Sequence, residues 1–204
     1  VCHFFWRIRM FTWRAANGRG MWRKIEEVMR MGGRIAGQSR AKLSHVDSRG
    51  RVRMVDVINK PITDRIAVAR GRIKIGKEAL RAVRDGRIAK GDPLQTARVA
   101  GIMAAKRTSE LVPLCHPLTL ANIDVRLRAL PDGYAIEASA KTADRTGVEM
   151  EALTAVSVAA LTIYDMVKAL DKRMVIGEIR LVEKRGGRSG TFTASKCYDR
   201  NRTG

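Results

Sequence analysis

From Glu149 to Leu170 the chain reads as one long helix with two apolar stripes, and few folds can cover both. Met150, Leu153, Ser157, Leu161 and Tyr164 make one stripe, and Val156, Ala159, Ile163, Met166 and Leu170 make the other on nearly the opposite side. A sheet can take one of them. The second then calls for another copy of the chain, so the pattern predicts a homo-oligomer. The uncharged run from Ala152 to Tyr164 is well short of the ~20 residues that span a bilayer, so no membrane association is expected.

The segments around this helix read mostly as strands. Ala67, Ala69, Gly71, Ile73 and Ile75 alternate with basic neighbours from Thr63 onward, and Lys77 to Arg84 is a short helix. Asp92 followed by Pro93 supplies an N-cap and a first-turn proline for a helix that runs to about Arg107. Ile123, Val125, Leu127 and Ala129 alternate with polar residues, and so do Tyr134, Ile136, Ala138 and Ala140 after the turn Pro131-Asp132-Gly133, which predicts a hairpin. A last strand carries Ile179 and Leu181. The order strand, helix, strand, strand, helix, strand predicts an α+β fold of ferredoxin-like type, an antiparallel sheet with helices on one face.

Forty Lys and Arg against twenty Asp and Glu leave a net charge of +20, a field that draws in nucleic acid, anionic lipid or a phosphorylated small molecule. Residues 1–40 hold nine basic and two acidic groups, so the remaining 31 basic and 18 acidic groups leave the body itself at +13. All three tryptophans lie in that first segment, among them Trp6 and Trp13, interleaved with arginine. Such patterning suits a transit peptide or a nucleic-acid arm; the simpler expectation is a disordered or non-native extension, followed by one domain over 41–192 and a flexible tail over 193–204. Cys2, Cys115 and Cys197 form no C-x-x-C pair, which argues against a disulfide framework and a zinc site and for a reducing, cytoplasmic setting, or a mitochondrial one if the arm is a transit peptide.

Neither G-x-G-x-x-G nor H-E-x-x-H occurs, and the P-loop-like spacing of Gly71, Gly76 and Lys77 is a coincidence, because Glu78 stands where Ser or Thr must hold Mg²⁺. Two prolines bracket Cys115 and His116 in the segment Leu111 to Leu118, a rigid loop in which a histidine can bind a ligand or simply fill the core. Asp165 and Lys168 share a face near the end of the long helix, where partial burial would move a pKa toward neutrality. Glu149 and Glu151 open the same helix, a place where carboxylates commonly only complement the dipole. Glu149 and Asp165 are sixteen residues apart, about 24 Å along the axis, so one small ligand touching both would bridge two subunits. Lys90-Gly91-Asp92, ahead of a helix, and the basic glycine loop Lys184 to Gly190 are candidate phosphate contacts.

The motifs Lys90-Gly91-Asp92, Ala104 to Thr108, Leu114-Cys115-His116-Pro117-Leu118, Thr146 to Leu153, Leu161 to Met166 and Gly186 to Gly190 occur in one order from about Leu43 to Phe192. In this the chain closely resembles the molybdenum cofactor biosynthesis protein C family, whose members are cyclic pyranopterin monophosphate synthases. The resemblance implies a lyase that converts (8S)-3′,8-cyclo-7,8-dihydroguanosine 5′-triphosphate into cyclic pyranopterin monophosphate and diphosphate. It implies a hexamer built as a trimer of dimers, an active site at a dimer interface, and no cofactor beyond an Mg²⁺ ion that could accompany the triphosphate. By motif, Asp165 corresponds to the catalytic acid/base with Lys168 and Lys90 as active-site lysines, and Leu114, Cys115, His116, Glu149 and Met150 correspond to substrate-binding segments. Arg145 and Arg188 stand where the family often carries lysine; both keep the charge, but Arg145 cannot donate a proton at neutral pH. The rival class is a nucleic-acid-binding module that uses the arm; against it, the catalytic candidates all lie in the body.

Overall fold

The structure is a computed structural model and describes residue 51 and residues 53–194; the extension expected over 1–40 and the tail beyond 194 lie outside the described residues. Strand β1 (Thr63–Lys74) is followed by α1 (Lys77–Arg84), α2 (Pro93–Lys106), the single turn α3 (Thr108–Leu111), β2 (Asn122–Leu130), β3 (Gly133–Asp144), α4 (Glu149–Val167), β4 (Val175–Arg185) and β5 (Phe192–Thr193). All neighbouring strands are antiparallel, in the order β2-β3-β1-β4-β5. This is an α+β fold, with α4 against the three middle strands and α2 against α4 and β2.

The alternation read from the sequence sets which face is covered. On β1 the buried positions Ala67, Ala69, Gly71 and Ile73 pair with Ala140, Ala138, Ile136 and Tyr134 of β3. Alanine opposite alanine makes a shallow floor, and α4 lies close upon it. Val156, Ile163 and Val167 are fully buried there, each contributing about 1.5–3 kcal/mol. The stripe of Val156, Ala159, Ile163 and Met166 is thus the one turned inward. In the other stripe Met150 and Leu161 remain exposed, and Leu153, Ser157 and Tyr164 are half-buried. By length and hydropathy α4 could cross a membrane, yet most of its apolar window is buried inside the fold, as in a core helix.

Local chemistry explains the element ends. Asp92 Oδ1 accepts from Leu94 N at 2.8 Å and Gln95 N at 3.1 Å, with Pro93 in the first turn, as the sequence predicts for the start of α2. The buried Thr108 hydroxyl donates to Ala105 O at 3.0 Å where α2 gives way to α3, a turn that the sequence reading did not separate. The long helix ends at Val167 rather than Leu170, because Leu170 N and Asp171 N both turn back to Val167 O and close the last turn. Strand β4 begins four residues before Ile179, and two register irregularities against β1, with Glu178 at φ 56°, break the period-2 signal there. Residue 193, where a tail was expected to begin, lies in β5 and pairs with Glu183.

The crossing of α2 over α4 depends on Gly101. A Cβ there would stand 2.9 Å from the Ala155 carbonyl oxygen and 3.3 Å from Val125 Cγ2. Alanine would gain roughly 1 kcal/mol in helix propensity but force apart two helix backbones, which costs more. Gly101→Ala is expected to lower stability by about 1–2 kcal/mol in chemical denaturation, and an unchanged or higher midpoint would contradict this packing.

Candidate active site

The N-terminal end of α4 faces a cavity of about 260 Å³. Leu114, Cys115, His116, Glu149 and Met150 all line it, so the structure brings together the five residues of the expected binding segments. The loop that carries Leu114 to His116 is held at both ends. Cys115 N donates to Val112 O at 3.0 Å, and beyond Leu118 the Thr142 hydroxyl donates to Thr119 O at 2.7 Å.

Glu151 lines the same cavity, and the sequence reading gave it no role beyond the helix dipole. Its side chain is 3% exposed, and burial, with the Glu149 charge adding to it, raises its pKa to about 7. A carboxyl that changes state near neutrality inside a cavity is a proton-transfer candidate, whereas dipole complementation alone would leave it in solvent. Its i, i+2 spacing from Glu149 was the available signal, since the two side chains then leave the helix on different sides. Burial, and then the Glu151 charge, also push the Cys115 thiol upward, so it is a neutral lining group and not a thiolate nucleophile.

A larger groove of about 830 Å³ adjoins this cavity and shares Lys60, Thr146, Gly147 and Glu149 with it. Arg65, Arg145, Lys184 and Arg188 make it strongly basic, and the N-terminal end of α4, without a side-chain cap, adds its own positive field. Arg65 is pinned by donating from Nε to Asp144 O at 2.8 Å and from Nη2 to Arg145 O at 3.1 Å. Gly187, at φ 73°, leaves the room this guanidinium occupies, because a Cβ there would collide with it. Lys184 Nζ lies 3.5 Å from Glu149 Oε1 and donates to the Ser189 hydroxyl. The basic loop after β4 therefore joins the Glu149 end of the helix, as one of the two candidate phosphate contacts.

The other contact, Lys90, belongs to a second cluster at the opposite end of α4. Lys90 Nζ lies 2.8 Å from Asp165 Oδ2, and Lys168 Nζ lies 2.7 Å from Oδ1. Lys90 also donates to the Asp165 carbonyl at 3.1 Å, one of the four helix-end carbonyls that lack a partner in the helix. The expectation of partial burial is not met in the single chain, where Lys90, Asp165 and Lys168 are all exposed. The expected shift toward neutrality is corrected too. The Lys168 and Lys90 ammonium groups hold the Asp165 carboxyl down to about 2, and Asp165 in turn raises Lys168. Asp165 is thus an ionised base flanked by two proton-carrying lysines. Within one chain the length of α4, about 24 Å between Glu149 and Asp165, separates this cluster from the cavity. Among the described residues no three His, Cys, Asp or Glu side chains are grouped to hold a metal ion.

Glu151 gives this end of the helix a pH signature. Its folded pKa of about 7 lies above the ordinary 4.5, so the folded state keeps a proton that the unfolded chain has released. The associated stability is present below about pH 4.5 and is lost as pH rises to about 7. Glu151→Gln is expected to flatten the thermal stability profile across that window and to exceed the parent by about 3 kcal/mol above it, measured by unfolding at pH 4.5 to 8. Parallel profiles for the two proteins would refute the raised pKa.

The family model described as the MoaC family matches residues 54–187. A protein of Thermomicrobium roseum named cyclic pyranopterin monophosphate synthase is 62% identical over 154 residues, covering 74% of this chain and 93% of that protein. Proteins of the same name from Heliobacterium modesticaldum and Novosphingobium aromaticivorans are 61% and 59% identical, over 74% and 76% of this chain and 96% and 98% of theirs. The chain belongs to the MoaC family.

Proposed function

We propose that this chain is a cyclic pyranopterin monophosphate synthase of molybdenum cofactor biosynthesis, a lyase that converts (8S)-3′,8-cyclo-7,8-dihydroguanosine 5′-triphosphate into cyclic pyranopterin monophosphate and diphosphate. The observation that carries this reading is the joined pair of spaces at the N-terminal end of α4, one suited to a purine-derived ring system and the other basic enough for a triphosphate. Relatives so named at 59–62% identity support it.

Forming a cyclic monophosphate with loss of diphosphate requires one of the substrate's own hydroxyls to attack the α-phosphorus. The hydroxyl gives up its proton, and the bond to the β-phosphate breaks. Asp165, ionised between two ammonium groups, is the base; Lys168 and Lys90 are the proton donors for the ring-opening and ring-closing steps. Arg65, Arg145, Lys184 and Arg188 neutralise the departing diphosphate. Leu114, Cys115, His116, Glu149 and Met150 hold the ring system, and Glu151, which changes state near neutrality, lines the same cavity as a further proton-transfer group.

Because the two clusters stand at opposite ends of one helix, the proposal includes a ferredoxin-like subunit in a homo-oligomer, with each site built from the Asp165 end of one copy and the Glu149 end of another. A trimer of dimers in the cytoplasm is the assembly the family resemblance suggests. The exposed members of the outer stripe, Met150 and Leu161, would be covered there.

The test incubates the full chain with the cyclised dihydroguanosine triphosphate and follows diphosphate and pterin. Asp165→Asn and Lys168→Ala are expected to lower kcat by about 10²-fold or more while the fold is retained. A deletion of residues 1–40 is expected to leave turnover in place. Full activity in both point variants, with loss only on deletion of the arm, would overturn the assignment.

A further inference from the structure

We propose that Asp171 is a positioning residue: by accepting the Gly76 N–H at the start of α1, it holds that helix, and through it Lys90, against Asp165. The argument follows a closed ring of contacts. Asp171 comes four residues after the end of α4, and its side chain is buried, at 7% exposure. One carboxylate oxygen, Oδ2, accepts from Gly76 N at 2.8 Å, and the other, Oδ1, accepts from Arg173 N at 2.9 Å. Gly76 is the N-cap of α1 and its own main-chain N–H is taken by a residue ninety-five positions away, the part that a third-position Glu or Gln plays in a capping box.

From that anchor α1 runs as a rigid rod of eight residues, about 12 Å long. At its far end Gly86, at φ 68°, turns the chain, Arg87 N bonds Ala82 O at 2.9 Å, and the buried Ile88 seats the segment in the core. Lys90 follows two residues later and reaches back to both the carboxylate and the carbonyl of Asp165. The ring closes where it began, at the C-terminal end of α4. That end is itself pinned by the Tyr164 hydroxyl, which donates to Lys172 O at 3.0 Å. Lys168, the C-cap residue of α4, reaches Asp165 from three positions along the chain and needs no such support. Asp171 therefore governs one of the two lysines and not the other.

The catalytic relevance of this arrangement rests on the proposed roles of Lys90 and Asp165, but the test does not. The full-length protein and its Asp171→Ala variant are treated with the N-hydroxysuccinimide ester of acetic acid, and acetylation of Lys90 and Lys168 is followed by peptide mass spectrometry. Lys168 is the internal control, and no substrate is involved, so failure here is distinct from failure of the proposed activity. Asp171→Ala is expected to raise the Lys90 rate about threefold relative to Lys168, the scale of losing one exposed ion pair. Should that variant not fold, Gly76→Ala carries the same test. It keeps the carboxylate but puts a Cβ 2.9 Å from Asp171 Oδ2, and the same direction of change is expected. An unchanged Lys90 to Lys168 ratio, or an equal rise at both lysines, would reduce Asp171 to a general structural cap and overturn the proposal.

Discussion

The seating of α4 on the sheet governs the placement of every candidate group. Ala67, Ala69 and Gly71 on β1 and Ala138 and Ala140 on β3 leave a floor low enough for Val156 to lie directly over Gly71, where a Cβ would come within 2.6 Å of its Cγ1. On the helix side Ala152, Ala155, Ala159 and Ala160 are small enough to meet both this floor and α2. Overpacking on either surface would tilt the helix and displace both of its ends together. Since one end bears Glu149 and Glu151 and the other Asp165 and Lys168, the small residues in the middle of the chain set where both clusters stand against the sheet, while the helix's own length sets the distance between them.

The electrostatics of those ends follow the helix. At the N-terminal end the positive field of α4 adds to a groove of arginine and lysine, and an anionic guest is favoured. At the C-terminal end the carbonyls carry the negative field, and Lys90 and Lys168 are well placed beside it as well as beside the Asp165 carboxylate. The same two lysines thus stabilise a helix end and keep a base ionised. Burial, in contrast, governs Glu151, whose carboxyl lines the cavity at the N-terminal end and is pushed up to about 7. Two carboxylates on one helix are driven apart in pKa by their surroundings, one by charge and one by desolvation.

Much of this was legible in the sequence where a single local rule operates. The Asp92-Pro93 start of α2, the Pro131-Asp132-Gly133 hairpin and the inward stripe of α4 each rest on one periodicity or one cap. The motif resemblance led to the residues that line the cavity, and the i, i+3 spacing led to the Asp165–Lys168 contact. Long-range features were not legible. The first residues of strand β4 escaped because its bulge breaks the alternation ahead of Ile179, and Asp171 escaped because its partner, Gly76, is distant in the chain and offers only a main-chain N–H. The state of Asp165 was misread for a related reason: apolar neighbours along a helix suggest burial, but the chain leaves that end half exposed, so the lysines and not desolvation decide its charge.

The central claim is that a working site takes the Asp165 end of one subunit and the Glu149 end of another, and subunit mixing tests it most directly. His116→Ala and Asp165→Asn proteins, each inactive alone, would be dissociated, combined in equal amounts and reassembled. In a mixed dimer one of the two sites is then intact, and a statistical mixture should recover roughly a quarter of the parent turnover. Mixed assemblies that form, as judged by mass, yet remain as inactive as their parents would contradict a shared site and return the chemistry to a single chain.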